Sequence, residues 1–242
     1  MAREQLSEAA YAWNGFADRQ QLAAALADHV AARLTKAIAA RGTALLAVSG
    51  GTTPARFLAA LSLIPIAWDK VTVTLVDERF VPPSSPRSNA GLVSASLLRS
   101  KAAAARFVPL YHEAASIEDA AAWDSEALQS LAWPLDVVVL GMGGDGHTAS
   151  FFPDADNLAE LLDPSSQRIV LPVHAQSAGE PRLSRRNGRL CLLRAHVEPV
   201  RQEEPPLAPL PRPCRHGRRH HRPDLQPGHA QKTAHRVQAR MV

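Results

Sequence analysis

From Asp18 to Arg41 the apolar residues Leu22, Leu26, Val30, Leu34 and Ile38 recur every four positions. That spacing draws one buried stripe along a helix, with Asp18 as N-cap and Gly42 as the stop. Ala44–Val48 is a short apolar run. It leads into Ser49-Gly-Gly-Thr-Thr-Pro54 and a second helical stretch from Pro54 to about Leu61. Val71–Val76 is β-branched and ends in Asp77-Glu78-Arg79. A Pro/Ser loop from Pro82 to Ser88 precedes a helix from Asn89 to about Arg99. Phe107–Leu110 is a predicted strand and Ile117–Leu131 a predicted helix. Leu135–Leu140 is apolar at all but one position and runs into Gly141-Met-Gly-Gly-Asp-Gly-His-Thr148. Arg168–Val173 is the last convincing strand.

Strands that alternate with helices, several of them apolar throughout, predict an α/β fold. Its form is a three-layer α/β/α sandwich around a mainly parallel sheet. In such sheets ligands bind beyond the carboxyl ends of the strands. The segments 49–54, 77–79 and 141–148 each begin where a strand stops, so they share one end of the fold.

Each segment has chemistry of its own. In Ser49-Gly50-Gly51-Thr52-Thr53-Pro54 the glycines let backbone approach a ligand, Thr53 can N-cap, and Pro54 suits the first helical position. Exposed N–H groups at a helix start favour an anion such as phosphate; the bland alternative is an ordinary βα turn. Arg79 can grip a phosphate through its planar fork, and a neighbouring carboxylate can orient a sugar hydroxyl or a histidine. A solvated surface ion pair is the plain alternative for that triplet. Gly141–Gly146 satisfies G-x-G-x-x-G, but Pro153 cuts off the long helix that a dinucleotide site needs. A glycine-walled loop that fixes Asp145 and His147 beside open space fits better. His147 can then act as a general base, with a carboxylate setting its tautomer.

Leu46–Pro54, Val76–Pro82, Ser88-Asn89, Leu140–Pro153 and Gly179–Ser184, in this order, resemble the 6-phosphogluconolactonase family. The resemblance covers about residues 10–184. It implies metal-independent, cofactor-free hydrolysis of a phosphosugar lactone in the oxidative pentose phosphate pathway. His147 would activate the water and Asp145 would orient it. Ser49, Gly50, Gly51, Thr52, Asp77, Arg79 and Arg182 would bind substrate and phosphate. Glucosamine-6-phosphate deaminases share the Gly-x-Asp-Gly-His loop and are the alternative on the same scaffold.

Composition changes the picture only beyond that point. Residues 1–184 carry 14 basic and 19 acidic side chains, whereas residues 185–242 carry 13 basic and 4 acidic. All twelve aromatic residues lie between Tyr11 and Phe152. The chain therefore divides into a lactonase-like domain, 1–184, and an Arg/Pro/His-rich tail, 185–242, where the likeness ends and only Leu190–Leu193 reads as core. A polyanion-binding arm on an inactive product is one reading of the tail, but without aromatics it has no base-stacking partner. A zinc site at Cys214, His216, His220 and His221 lacks paired ligand spacing. The preferred reading is a frameshift in a GC-rich gene, which leaves the sheet with an unpaired edge. A reducing cytoplasmic setting, a monomer, and no membrane or nucleic-acid partner are expected: two cysteines make no disulfide framework, and the acidic N-terminus is no signal peptide.

Overall fold

The structure is a computed structural model, and it describes residues 12–163, 165–185, 192–194 and 237–241. Its elements follow the α/β order. They are β1 (Ala12–Phe16), α1 (Arg19–Arg41), β2 (Ala44–Val48), α2 (Thr52–Leu61), β3 (Val71–Leu75), β4 (Asp77–Arg79), α3 (Asn89–Ser96), β5 (Arg106–Val108), α4 (Ile117–Gln129), β6 (Val137–Leu140), α5 (Leu158–Leu162), β7 (Val170–Val173), β8 (Arg182–Arg185), β9 (Leu192–Arg194) and β10 (Val237–Met241).

A seven-stranded sheet runs in the order β1-β10-β9-β6-β2-β3-β5. The five strands from β9 to β5 are parallel, and β10 is antiparallel to both β1 and β9. Every residue of β2 and β6 is buried. Both faces of the sheet centre are therefore covered, which is why these strands read as unbroken apolar runs. Helix α1 starts at Asp18, whose carboxylate accepts from the N–H groups of Gln20 and Gln21. It stops at Gly42 in the left-handed region. Its stripe of Leu22, Leu26, Val30 and Leu34 is buried, and Ile38 packs against the same core half-exposed.

Three sequence expectations change. Helix α2 begins at Thr52, two residues early, and its N-cap is Gly51 rather than Thr53. Asp77–Arg79 is itself a strand: with β7 and β8 it forms a second, antiparallel sheet in the order β4-β8-β7. Val170–Val173 is not the last strand, because β8, β9 and β10 follow. Beyond β6 the sheet continues with β9, in the register Val138↔Leu192, Val139↔Leu193 and Leu140↔Arg194. The cluster Cys214, His216, His220 and His221 lies outside the described residues, as do Leu190 and Cys191. Among the described residues no helix is long and apolar enough to cross a membrane.

Candidate active site

The carboxyl ends of β2 and β6 are tied together, with Ser49 N donating to Val139 O at 3.1 Å. Past this tie the chain turns outward at Gly50 and Gly51. Gly51 has φ 103°, a conformation that L side chains rarely adopt, and it starts α2 with no side-chain cap. The N–H groups of the first turn are thus left for a ligand, at the positive end of the helix dipole. A Cβ on Gly50 would lie 1.7 Å from Asn89 Oδ1, so the loop admits only hydrogen there. The backbone of Thr52 opens the helix beside them.

In β4, alternation sends neighbouring side chains to opposite faces. Asp77 and Arg79 line the cleft, whereas Glu78 is fully buried beneath α3. The Glu78 carboxylate accepts from Asn89 N (2.7 Å), Ala90 N (2.7 Å), Arg79 N (2.8 Å) and Ser88 Oγ (3.1 Å). It is a buried carboxyl group at a helix start. Burial pushes its carboxyl up, and these four donors hold back part of that rise. Asn89 is fixed in turn, its Nδ2 donating to Asp77 O at 2.8 Å. Asp77 accepts from Ser150 Oγ at 2.6 Å. With Asp77 and Glu78 this deeply buried, the triplet is not a solvated ion pair, and neither carboxylate is hydrogen-bonded to His147.

Pairing of β4 with β8 sets Arg79 opposite Arg182. Arg182 Nη2 donates to Ala178 O at 3.0 Å, and Nη1 lies 3.9 Å from Asp77 Oδ2. Burial, then the neighbouring Arg79 charge, pulls the Arg182 pKa down. Two guanidinium groups held side by side repel each other, an arrangement that an anion relieves.

After β6 the chain makes a closed loop, with Gly143 N donating to His147 O at 2.8 Å and Gly146 at φ 87°. Asp145 Oδ1 accepts from His147 N at 3.2 Å and sits 2.5 Å from Nδ1. Partial desolvation pushes the Asp145 carboxyl up, but hydrogen bonds and charge from His147 outweigh it and leave it below its ordinary value. In the tautomer that donates Nδ1–H to that carboxylate, Nε2 carries no proton. Residues 141–157 hold no helix, and α5 begins only at Leu158. No helix N-terminus therefore follows the glycines, as a dinucleotide fingerprint requires.

These segments enclose a cleft of about 270 Å³. Ser49, Gly50, Gly51, Asp77, Arg79, His147 and Arg182 line it; Asp145 stands behind His147. Sequence reasoning gave no role to Asn89, Ser150 or Phe152, and it did not separate Glu78 from Asp77 as the orienting carboxylate. Asn89 had a signal in the Ser88-Asn89 pair, while Ser150 and Phe152 stood inside the histidine motif with nothing to show their contacts. His112 lies by Asp124 and His174 by Glu118, and neither lines the cleft. A second cavity of about 190 Å³ adjoins it, sharing Ser49, Thr53, Pro54, Gly141 and Met142.

Residues 17–186 match the family described as glucosamine-6-phosphate isomerases/6-phosphogluconolactonase. A 6-phosphogluconolactonase of Mesorhizobium japonicum is 73% identical over 201 residues, covering 82% of this chain and 84% of that protein. One of Rhizobium meliloti is 60% identical over 169 residues, 70% of this chain and 73% of that one. The crystal structure of a 6-phosphogluconolactonase from Shewanella baltica superposes with a TM-score of 0.69 at 37% identity, covering 71% of this chain and 72% of that one. A monomeric glucosamine-6-phosphate deaminase shares the fold, with a TM-score of 0.54 at 16% identity over 69% of this chain and 73% of that one.

Proposed function

The chain belongs to the glucosamine-6-phosphate isomerase/6-phosphogluconolactonase family, and we propose that it hydrolyses 6-phospho-D-glucono-1,5-lactone to 6-phosphogluconate, a step of the oxidative pentose phosphate pathway. The observation that carries this reading is the Asp145–His147 pair, whose imidazole lines the same cleft as Arg79 and Arg182.

His147 Nε2 takes a proton from a water as its oxygen attacks the lactone carbonyl carbon. The carbonyl π pair moves onto oxygen and gives a tetrahedral oxyanion. Collapse re-forms the carbonyl, breaks the bond to the ring oxygen, and returns the proton from His147 to that leaving oxygen. Asp145 holds the imidazole in the tautomer that leaves Nε2 free and stabilises the imidazolium between the two steps. The phosphate of the substrate sits away from the reacting carbon. Backbone N–H groups of residues 50–52, the start of α2, Arg79 and Arg182 bind it, and this remote binding energy positions the ring. Asp77 acts indirectly, holding Asn89, Ser150 and Arg182 in place.

The test is acid release from freshly generated 6-phosphogluconolactone by the purified full chain, beside His147→Ala. The expected loss is about 10² to 10⁴ in rate, the usual contribution of general acid–base transfer. An unchanged rate in His147→Ala removes the histidine from the mechanism. Ammonia release from glucosamine-6-phosphate, with no lactone turnover, overturns the substrate.

A further inference from the structure

We propose that Phe152 is a positioning residue that sets the separation of His147 and Arg182; this rests on the lactonase reading above. The Phe152 ring lies 4.2 Å from the His147 imidazole, centroid to centroid, with an interplanar angle of 29°. The same ring carries the Arg182 guanidinium, whose Cζ is 5.1 Å from its centroid. One aromatic side chain therefore touches both the base and a cation of the anion site.

The ring is well anchored. Phe152 is 2% exposed and belongs to a small apolar cluster of its own with Phe151, Ala155, Leu161, Leu171, Val173 and Ala178. That cluster is separate from the main core, so its packing is set by residues 151–178 rather than by the sheet centre. The two groups it positions have few other constraints. The imidazole is held by Asp145 at Nδ1 and rests against Gly143, where a Cβ would come within 2.3 Å of Cε1. Arg182 has its 3.0 Å bond to Ala178 O and longer ion pairs, 3.9 Å each, to Asp77 and Glu180, while its buried Nε has no hydrogen-bond partner among the described residues. A face-on aromatic ring supplies what these contacts lack: a flat surface for the imidazole and a negative π face for the cation. Displacing the ring lets both groups move, and a shift of about 1 Å in a reacting group can cost about 10² in rate.

The experiment compares the wild-type full chain with Phe152→Leu and Phe152→Tyr, each measured for kcat and KM on the lactone. Leucine keeps the apolar character and removes the ring; tyrosine keeps the ring. Phe152→Leu is expected to lower kcat by about 10- to 100-fold and to raise KM by about threefold or more through the loosened guanidinium. Phe152→Tyr is expected to recover most of both. A purely structural role would lower kcat through a smaller active fraction and leave KM unchanged, and that pattern overturns the proposal. Should Phe152→Leu fail to fold, proton NMR of the wild-type chain decides. The His147 ring signals, identified by their loss in His147→Gln, are expected upfield of ordinary histidine positions through the ring current of Phe152, and signals at ordinary positions refute the contact. Failure of the underlying reading is separate, since it shows as undiminished activity in His147→Ala whatever happens at Phe152.

Discussion

Arg185→Leu is expected to stabilise the folded chain. Arg185 ends β8 and is 4% exposed. Its backbone is held as a core strand residue, paired with Val170, and its N–H donates to Val76 O at 2.9 Å. Strand geometry thus fixes the side chain inside. Among the described residues Nη1 and Nη2 have no hydrogen-bond partner, and the compensating contact is the Trp133 ring, 4.9 Å from Cζ. Burial pushes the guanidinium pKa down from the ordinary arginine range to about 10. At about 1.4 kcal/mol per pKa unit, burying this charge costs on the order of 3 kcal/mol. The cation–π contact returns about 1 to 2 kcal/mol of that. Leucine abolishes the charge, forfeits the ring contact and adds apolar burial, so the expected gain is about 1 to 3 kcal/mol. Urea unfolding of the full chain, followed by tryptophan fluorescence and far-ultraviolet circular dichroism, should show a higher midpoint with an unchanged slope. Arg185→Met should behave in the same way. Midpoints at or below wild type for both variants would mean that the guanidinium is satisfied where it lies, and the reasoning would be wrong.

Gly50→Ala should lower kcat/KM at least tenfold and cost about 1 to 3 kcal/mol of stability, because the new Cβ meets Asn89 Oδ1 while Nδ2 of that amide is held by Asp77 O. Adding Asn89→Ala should restore part of the lost thermal stability, and a Gly50→Ala chain that melts like wild type contradicts the close approach. Glu78→Gln should lower stability by about 1 to 3 kcal/mol, since an amide nitrogen would face donors where the carboxylate accepts four hydrogen bonds; an unmoved melting temperature sinks this. Asp124 is buried, and burial raises its carboxyl from 3.8 to about 8. The native state therefore binds a proton that the unfolded chain has lost, so this contribution to stability is full below about pH 4 and fades as pH rises to about 8. His112, 3.5 Å away, has its own pKa lowered by burial and offers no compensating charge over the upper part of that window. Asp124→Asn should flatten the dependence of the urea midpoint on pH between those limits, and an unchanged slope would mean that Asp124 is ionised in the fold.

What the sequence revealed follows from the range of the interactions involved. Helix α1 was legible to its ends because its stripe, the Asp18 cap and the left-handed Gly42 are all local. The start of α2 was misplaced by two residues: a glycine at φ 103° can open a helix with no side-chain acceptor, which removes the signal a threonine cap would give. The Asp77-Glu78-Arg79 triplet was legible as chemistry but not as direction. Only once these residues are known to be a strand does alternation place Asp77 and Arg79 on the cleft and Glu78 beneath α3. The Arg79–Arg182 pairing joins residues far apart in the chain through a second sheet that no periodicity announced. Phe152 was one apolar residue in a motif, because ring contacts leave no mark in spacing.

At the end of β8, main chain and side chain constrain the sequence very differently. Sheet pairing uses main-chain N–H and C=O groups, which every residue but proline offers alike. A strand slot therefore makes little demand on side-chain identity, and β9 beside β6 and β10 between β1 and β9 fill such slots. Side-chain burial has no such tolerance. Ser184 and Arg185 are consecutive residues of β8 and both are buried, but one is a small hydroxyl and the other an unpaired guanidinium. The family match runs to residue 186, one residue beyond the end of β8. Of the residues 185–242, whose net charge is +9, Arg185 takes a buried place in β8; the positive charge facing the cleft comes instead from Arg79, Arg182 and the start of α2, within residues 1–184, which are acidic overall. On the proposed reading, the anion is held by groups fixed by β2, β4 and β8, and the basic composition that raises the pI to about 9.5 plays no part in it.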